Sequence, residues 1–262
     1  MRVNRLLRSQ SVADFLRLPP DEQDGILQDY LWDNKVIQIG QGHCTRYSDP
    51  KIATGQMLRC LHCVRDSAYG KQLVKNATKV YYENAFLVPI HCLCEFMCDT
   101  VSDGMTPARR ALLVTGVLMI EADIKNHITV PFADDNDVAD AWTRDALEDL
   151  RQFGNAGRII VGLDGEGEEN GSDQATQNVL KDIAPVVGRL LRIFGKSRFE
   201  IKRTIHLAPG RVQSLDITSY WNVPTELARQ QVSDGVATFK EVMQVRMEGW
   251  MRHETPSDGV VY

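Results

Sequence analysis

The sequence predicts an α+β to α/β fold. N-terminal helices with short strands are expected to pack on a C-terminal lobe of alternating strands and helices around a mostly parallel sheet. Three observations lead there. Residues 111–120 and 158–163 are apolar runs that suit buried strands better than exposed hairpins. The second half alternates strand, helix, strand, helix, strand, and parallel strands joined by helices are the economical reading of that order. The first half opens instead on a helix start at Leu18-Pro19-Pro20.

Proline suits a first helical position because its missing N–H would be unpaired there anyway. Asp21 and Glu22 follow at the positive end of the helix dipole. Ile26, Leu27, Tyr30 and Leu31 recur at three- and four-residue spacing, so the pattern predicts a helix over 14–32. Residues 35–39 alternate like a short strand, and the glycine-bearing polar stretch 40–55 reads as a loop. A helix is expected over 56–76, with Met57, Leu61, Val64, Ala68 and Leu73 as its apolar stripe. Aromatic and β-branched residues then favour strand over 80–88, with Glu83-Asn84 as a turn. A helix over 90–101 would carry Leu93, Phe96, Met97 and Val101.

From about residue 105 the texture changes. After the apolar run at 111–120, an amphipathic helix is expected over 138–153, with Ala139, Trp142, Ala146, Leu150 and Phe153 on one face. Gly154 and Gly157 end it. Residues 165–173 read as a loop, and 175–194 as a helix that Pro185 should kink or split. Residues 199–207 and 212–217 read as strands, 225–232 as a short helix, and a last strong helix begins near Ser233. No repeat is strict enough for a leucine-rich solenoid. The expected division is 1–104 for the helical region, 105–253 for the α/β lobe and 254–262 for a flexible tail.

Composition sets bounds on function. The 262 residues suffice for a large core, in one domain or two closely packed lobes. A net charge of −5 argues against a general nucleic-acid binder. No apolar run approaches the ~20 residues that span a bilayer. The basic start, with Arg2, Arg5 and Arg8, is too short in apolar residues for a secretory signal. It reads as an amphipathic lead-in, with a mitochondrial presequence as the alternative. An intracellular location is expected, cytoplasmic or nuclear, with the six cysteines as thiols.

The phrase from Phe15 through Leu18-Pro19-Pro20 to Ile26-Leu27 and Tyr30-Leu31 resembles the opening of an F-box, in particular that of fungal F-box-like proteins. The likeness continues through Leu58-Arg59-Cys60, Val64 to Ala68, and Val80-Tyr81-Tyr82-Glu83-Asn84-Ala85-Phe86, with Leu93 and Phe96 matching the helix beyond. Here the tyrosine-rich phrase is one residue short, and Ala85 stands where threonine is usual. The resemblance implies a non-catalytic adaptor or scaffold that could serve as the substrate receptor of a Skp1-containing ubiquitin ligase. By helix-in-groove docking, Leu18, Pro19, Ile26, Leu27 and Leu31 would then contact Skp1. Gly25 lies inside that helix at a cost of roughly 0.5–1 kcal/mol against alanine. About 25 residues separate the two helices, whereas a compact F-box has short connections. The competing reading packs the same apolar residues onto the protein's own core.

Other constellations are less specific. His43-Cys44, Cys60 with Cys63, and His91-Cys92 with Cys94 and Cys98 have zinc-ligand chemistry. Cys60 and Cys63 fall in an expected helix, so buried thiols are the reading adopted; zinc on Cys60, Cys63, His91 and Cys92 is the alternative. Asp134-Asp135-Asn136-Asp137 with Asp140 resembles a magnesium-holding cluster but sits where acidic residues cap a helix. Residues 164–170 lack the spacing of a calcium loop. The seven cations from Arg189 to Arg211 read as a solvated face. No Gly-x-Ser-x-Gly, phosphate-binding loop or dinucleotide fingerprint occurs. No metal or cofactor is expected. The alternative to an adaptor is an enzyme or small-molecule binder with a pocket between the lobes, for which Asp123, Asp164 and His206 are the candidates. A homo-oligomeric structural component is a third option.

Overall fold

The computed structural model describes residues 7–31, 36–39, 64, 66–98, 111–124, 143–168, 171, 173–208 and 211–222. In chain order the elements are α1 (Val12–Phe15), α2 (Pro20–Leu31), β1 (Val36–Gln38), α3 (Ala68–Tyr82), β2 (Ala85–Pro89), α4 (Leu93–Cys98), β3 (Val117–Asp123), β4 (Arg158–Glu166), α5 (Gln174–Phe194), β5 (Phe199–Ala208) and β6 (Arg211–Asp216). The expected mixed fold with a mostly parallel sheet is what forms. The strands lie in chain order, β1-β2-β3-β4-β5-β6. β1 runs parallel to β2, β4 runs parallel to β5, and β6 returns antiparallel to β5. The middle strands begin side by side. Thr115 N–H donates to Tyr82 O at 3.0 Å, Gly157 N–H to Gly116 O at 2.9 Å, and Ile159 N–H to Arg198 O at 2.7 Å.

Two compact units make up the chain. One comprises Met1–Met119 with Gln152–Arg158, the other Ile120–Arg151 with Ile159–Tyr262. In the first unit, α1 takes its N-cap from Ser11, whose hydroxyl accepts the Asp14 N–H at 3.1 Å. The expected single helix over 14–32 is two helices, broken at residues 16–19. Pro20 opens α2 as its sequence predicts, and Pro19 O accepts the N–H groups of Glu22 and Gln23 at 3.0 and 3.1 Å.

α3 starts at Ala68, not 56, and Ser67 caps it by accepting the Gly70 N–H at 2.9 Å. It runs on through Val80-Tyr81-Tyr82, which strand propensity had claimed. The spacing of Leu73, Ala77, Val80 and Tyr81, all buried, is helical, and burial on one helix face outweighs the β preference of the individual residues. Asn84 ends the helix by donating from Nδ2 to Val80 O at 2.6 Å, inside the expected turn. The aromatic core then runs from Tyr81 to Phe86 (centroids 5.4 Å), from Phe86 to Phe96 (5.2 Å) and from Phe96 to Phe153, stacked at 6.3 Å.

The expected strand over 111–120 is half correct. Ala111 is helical, residues 112–116 turn with Leu112 45% exposed, and the strand occupies Val117–Asp123. In the second unit, residues 143–148 are helical and Asp149–Gln152 tighten into a 3-10 turn that spans the boundary between the units. β4 alternates, burying Ile159, Val161 and Leu163. α5 is one continuous helix with Pro185 buried inside it. The ~3 kcal/mol penalty of an interior proline is outweighed by a stripe that buries Val179, Leu180, Ile183, Ala184, Val187, Leu190 and Leu191.

Several expectations lie outside the described residues. They are the loop at 40–55, the helix segment 56–63, the boundary near 104, Trp142, the helices after 224 and the tail at 254–262.

The junction where β2 and β3 begin makes one position stringent. A Cβ on Gly116 would stand 2.0 Å from Asn84 O and 2.4 Å from Glu83 O, both backbone atoms that cannot swing aside. Gly116→Ala is therefore expected to destabilise the protein by about 1–3 kcal/mol, as overpacking does. Urea unfolding of the two proteins checks this, and equal midpoints would refute it.

Candidate functional site

The carboxyl end of the second unit's sheet gathers the polar side chains. β4 and β5 are in register from Ile159 opposite Phe199 to Glu166 opposite His206. Strand alternation sends Leu163 and Arg203 to one face, Asp164, Thr204 and His206 to the other. On that second face His206 Nε2 lies 2.7 Å from Asp164 Oδ1, with the side chains 44% and 49% exposed. Lys202, on the same face, pairs with Glu200 at 3.0 Å. β6 lays Val212, Ser214 and Asp216 beside His206, Thr204 and Lys202.

β3 adds two carboxylates, Glu121 and Asp123, both exposed. Glu121 is nonetheless raised above the usual glutamate range, first by partial desolvation against the sheet and then by the charge of Asp164. Asp123 Oδ1 approaches the Cα of Gly165, 3.8 Å from where a Cβ would project. Of the three residues expected to share a site, the structure brings Asp164 and His206 into contact and places Asp123 at the end of β3.

The opposite face holds a residue the sequence reading did not single out. Arg203 is 0% exposed. Its Nη1 donates to Leu163 O at 3.3 Å, to Gly165 O at 3.1 Å and to Thr204 O. Its Nη2 donates to Glu166 O at 3.1 Å and to Thr176 Oγ1, at the start of α5, at 3.3 Å. Burial pushes the guanidinium below its ordinary value, while Asp173 and then Asp164 push it back up. Asp173 caps α5, accepting the N–H of Thr176 at 2.8 Å and of Glu168 at 3.0 Å. The signal was present: in β5, Phe199, Ile201, Arg203 and Ile205 occupy alternate positions, so a period of two places the arginine in the core.

The cationic stretch from 189 to 211 is thus dispersed, not a single solvated face. Arg189 pairs with Glu148, Arg198 lies over the Phe194 ring at 5.5 Å, Lys202 pairs with Glu200, and Arg203 is internal.

On the N-terminal helix, Leu27 is 0% and Ile26 8% exposed, Leu18 is half-buried, Pro19 is exposed, and Leu31 is the last residue of α2. Gln23, a second residue not singled out, is buried beside them. Its Nε2 donates to Leu16 O at 3.3 Å and to Leu18 O at 2.8 Å, and its Oε1 accepts from Asn76 Nδ2 of α3 at 3.0 Å.

Cys60, Cys63 and the acidic residues at 134–140 lie outside the described residues. His91 is exposed and Cys92 buried, in a 3-10 turn before α4. Among the described residues no group of three or more histidine, cysteine or acidic side chains is arranged to hold a metal ion. None of the described helices is long and apolar enough to cross a membrane.

Compared with known proteins, the chain matches no family model, no curated protein and no solved structure.

The Glu121 carboxyl gives a pH prediction. Its folded-state value lies above 4.5, so the folded protein binds more protons than the unfolded chain just above that pH. Stability is therefore lost as the pH rises through that window. Glu121→Gln should melt at a higher temperature than wild type at pH 7, and the gain should fade as the pH falls below 4.5. Thermal melts at pH 3.5 and 7 test this, and a gain independent of pH would contradict it.

Proposed function

We propose that this chain is a non-catalytic interaction protein that recognises a protein partner with the polar sheet face around Asp164 and His206. In this reading α2 is a structural helix. The observation that carries the proposal is the exposure of the ion pair, 44% and 49% for the two side chains at a separation of 2.7 Å. Small-molecule sites typically bury 70–90% or more of their ligand in a concave pocket. A half-exposed pair on a strand face suits a broad macromolecular contact. The likeness to F-box-like proteins points to the same class of function. The burial of Ile26 and Leu27, and the hold of Gln23 on the Leu18 carbonyl, support a core role for α2 over docking to Skp1.

A second reading has its own support. Asp164 and His206 sit at the carboxyl ends of adjacent parallel strands, where open α/β sheets bind ligands. There the pair would act as an acid–base couple on a small molecule, with Asp123 and Glu121 at its rim.

One experiment tests the recognition surface and the role of α2 together. The full chain and Asp164→Arg are immobilised side by side for affinity capture, with purified Skp1 included as a separate analyte. We expect a partner that wild type retains and the variant loses, and no retention of Skp1 by either. Partners that are indifferent to Asp164→Arg would overturn the assignment of the surface. Retention of Skp1 that Pro19→Asp or Leu18→Asp abolishes would restore the docking role of α2.

A further inference from the structure

We propose that Arg203 is a positioning residue for the Asp164–His206 pair, acting through the sheet from its other side. This rests on the reading that the pair forms part of the recognition surface, although its geometry stands apart from that reading. The carbonyls of Leu163 and Gly165 flank Asp164 in the chain, and Arg203 Nη1 holds both, at 3.3 and 3.1 Å. Gly165 adopts φ +150°, a backbone conformation that L side chains rarely take, with its carbonyl bonded to Arg203. Glu166 O, the next acceptor, is fixed by Nη2 at 3.1 Å. Three β4 carbonyls, one before Asp164 and two after it, are thereby pinned by one planar fork.

Arg203 also precedes His206 by three residues in β5, and its Nη1 donates to the intervening Thr204 carbonyl. The same guanidinium therefore bonds both strands that carry the pair. Its own base is fixed in turn. Thr176 Oγ1 of α5 accepts from Nη2, and Asp173 supplies the nearest compensating charge. The arrangement is tight at Gly167, where a Cβ would stand 2.7 Å from Asp173 Oδ2 and 2.9 Å from Arg203 Nη2. Arginine and lysine differ at such a place, because only the fork spans several carbonyls at once. Lysine at 203 keeps the charge and loses the span.

The readout is the position of the pair itself, read in crystal structures of the full chain and of Arg203→Lys. In wild type, His206 Nε2 and Asp164 Oδ1 are expected within hydrogen-bond reach, as at the 2.7 Å separation here. In Arg203→Lys, which keeps the local charge, we expect Asp164 to swing out of reach of the ring, while the Lys202–Glu200 pair on the same sheet face stays closed. A pair left at hydrogen-bond distance in the variant overturns the proposal. Should Arg203→Lys fail to fold, Gly167→Ala provides the second test by pressing a methyl group onto the fork. The same opening is expected, and its absence is equally decisive. Partner capture by His206→Ala reads the recognition surface itself, so the two proposals can fail independently.

Discussion

A guanidinium sealed from water must be solvated by the protein around it, and in this chain that requirement organises the second unit. The terminal nitrogens of Arg203 take four backbone carbonyls and a threonine hydroxyl. Those acceptors come from the end of β4, the start of α5 and β5 itself. Their convergence fixes where the strand stops, how the chain turns into the helix and how the two strands meet. A buried cation without such acceptors would cost several kcal/mol. The sequence around it follows from this constraint. Gly165 supplies a carbonyl in a conformation that other residues avoid, Gly167 leaves room for the fork, and Asp173 contributes charge while capping the helix.

The first unit depends on a neutral counterpart of the same device. Gln23 saturates the Leu16 and Leu18 carbonyls of the turn before α2 and accepts from Asn76 on α3. Buried amides of this kind fix register between helices, since any slip leaves a polar group unpaired. The Leu-Pro-Pro phrase is consequently anchored at both ends, through its carbonyls by Gln23 and through its apolar stripe by Leu27.

The general architecture was legible because its signals are periodic and local. The apolar run of β4, the strand expected over 199–207 and the Pro20 helix start all read directly from residue types. The failures share a cause. At Val80-Tyr81-Tyr82 single-residue propensity pointed to strand, while the spacing back to Leu73 and Ala77 pointed to helix, and packing followed the spacing. At residues 112–116 an apolar run proved to be a turn, because apolar content alone does not say which backbone state hides it. At Pro185 a local penalty yielded to the burial of a whole helix face. Asp164 and His206 could be named from their positions near strand ends, but their contact depends on register, which no local pattern encodes. Arg203 and Gln23 are polar residues at core positions, visible only when each element is phased against its apolar neighbours.

The strand order has a consequence for how the molecule is made. Each strand of the sheet lies beside the one synthesised just before it, from β1 to β6. A chain emerging from the ribosome can add every new strand to an edge that already exists, and no later segment has to insert between two earlier ones. The growing sheet therefore always presents a fresh edge at its newest strand, and the next piece of its own chain is the nearest partner for it. Such an order shortens the time during which each new edge is open to neighbouring chains, down to β6, which covers β5 as soon as it follows that strand from the ribosome.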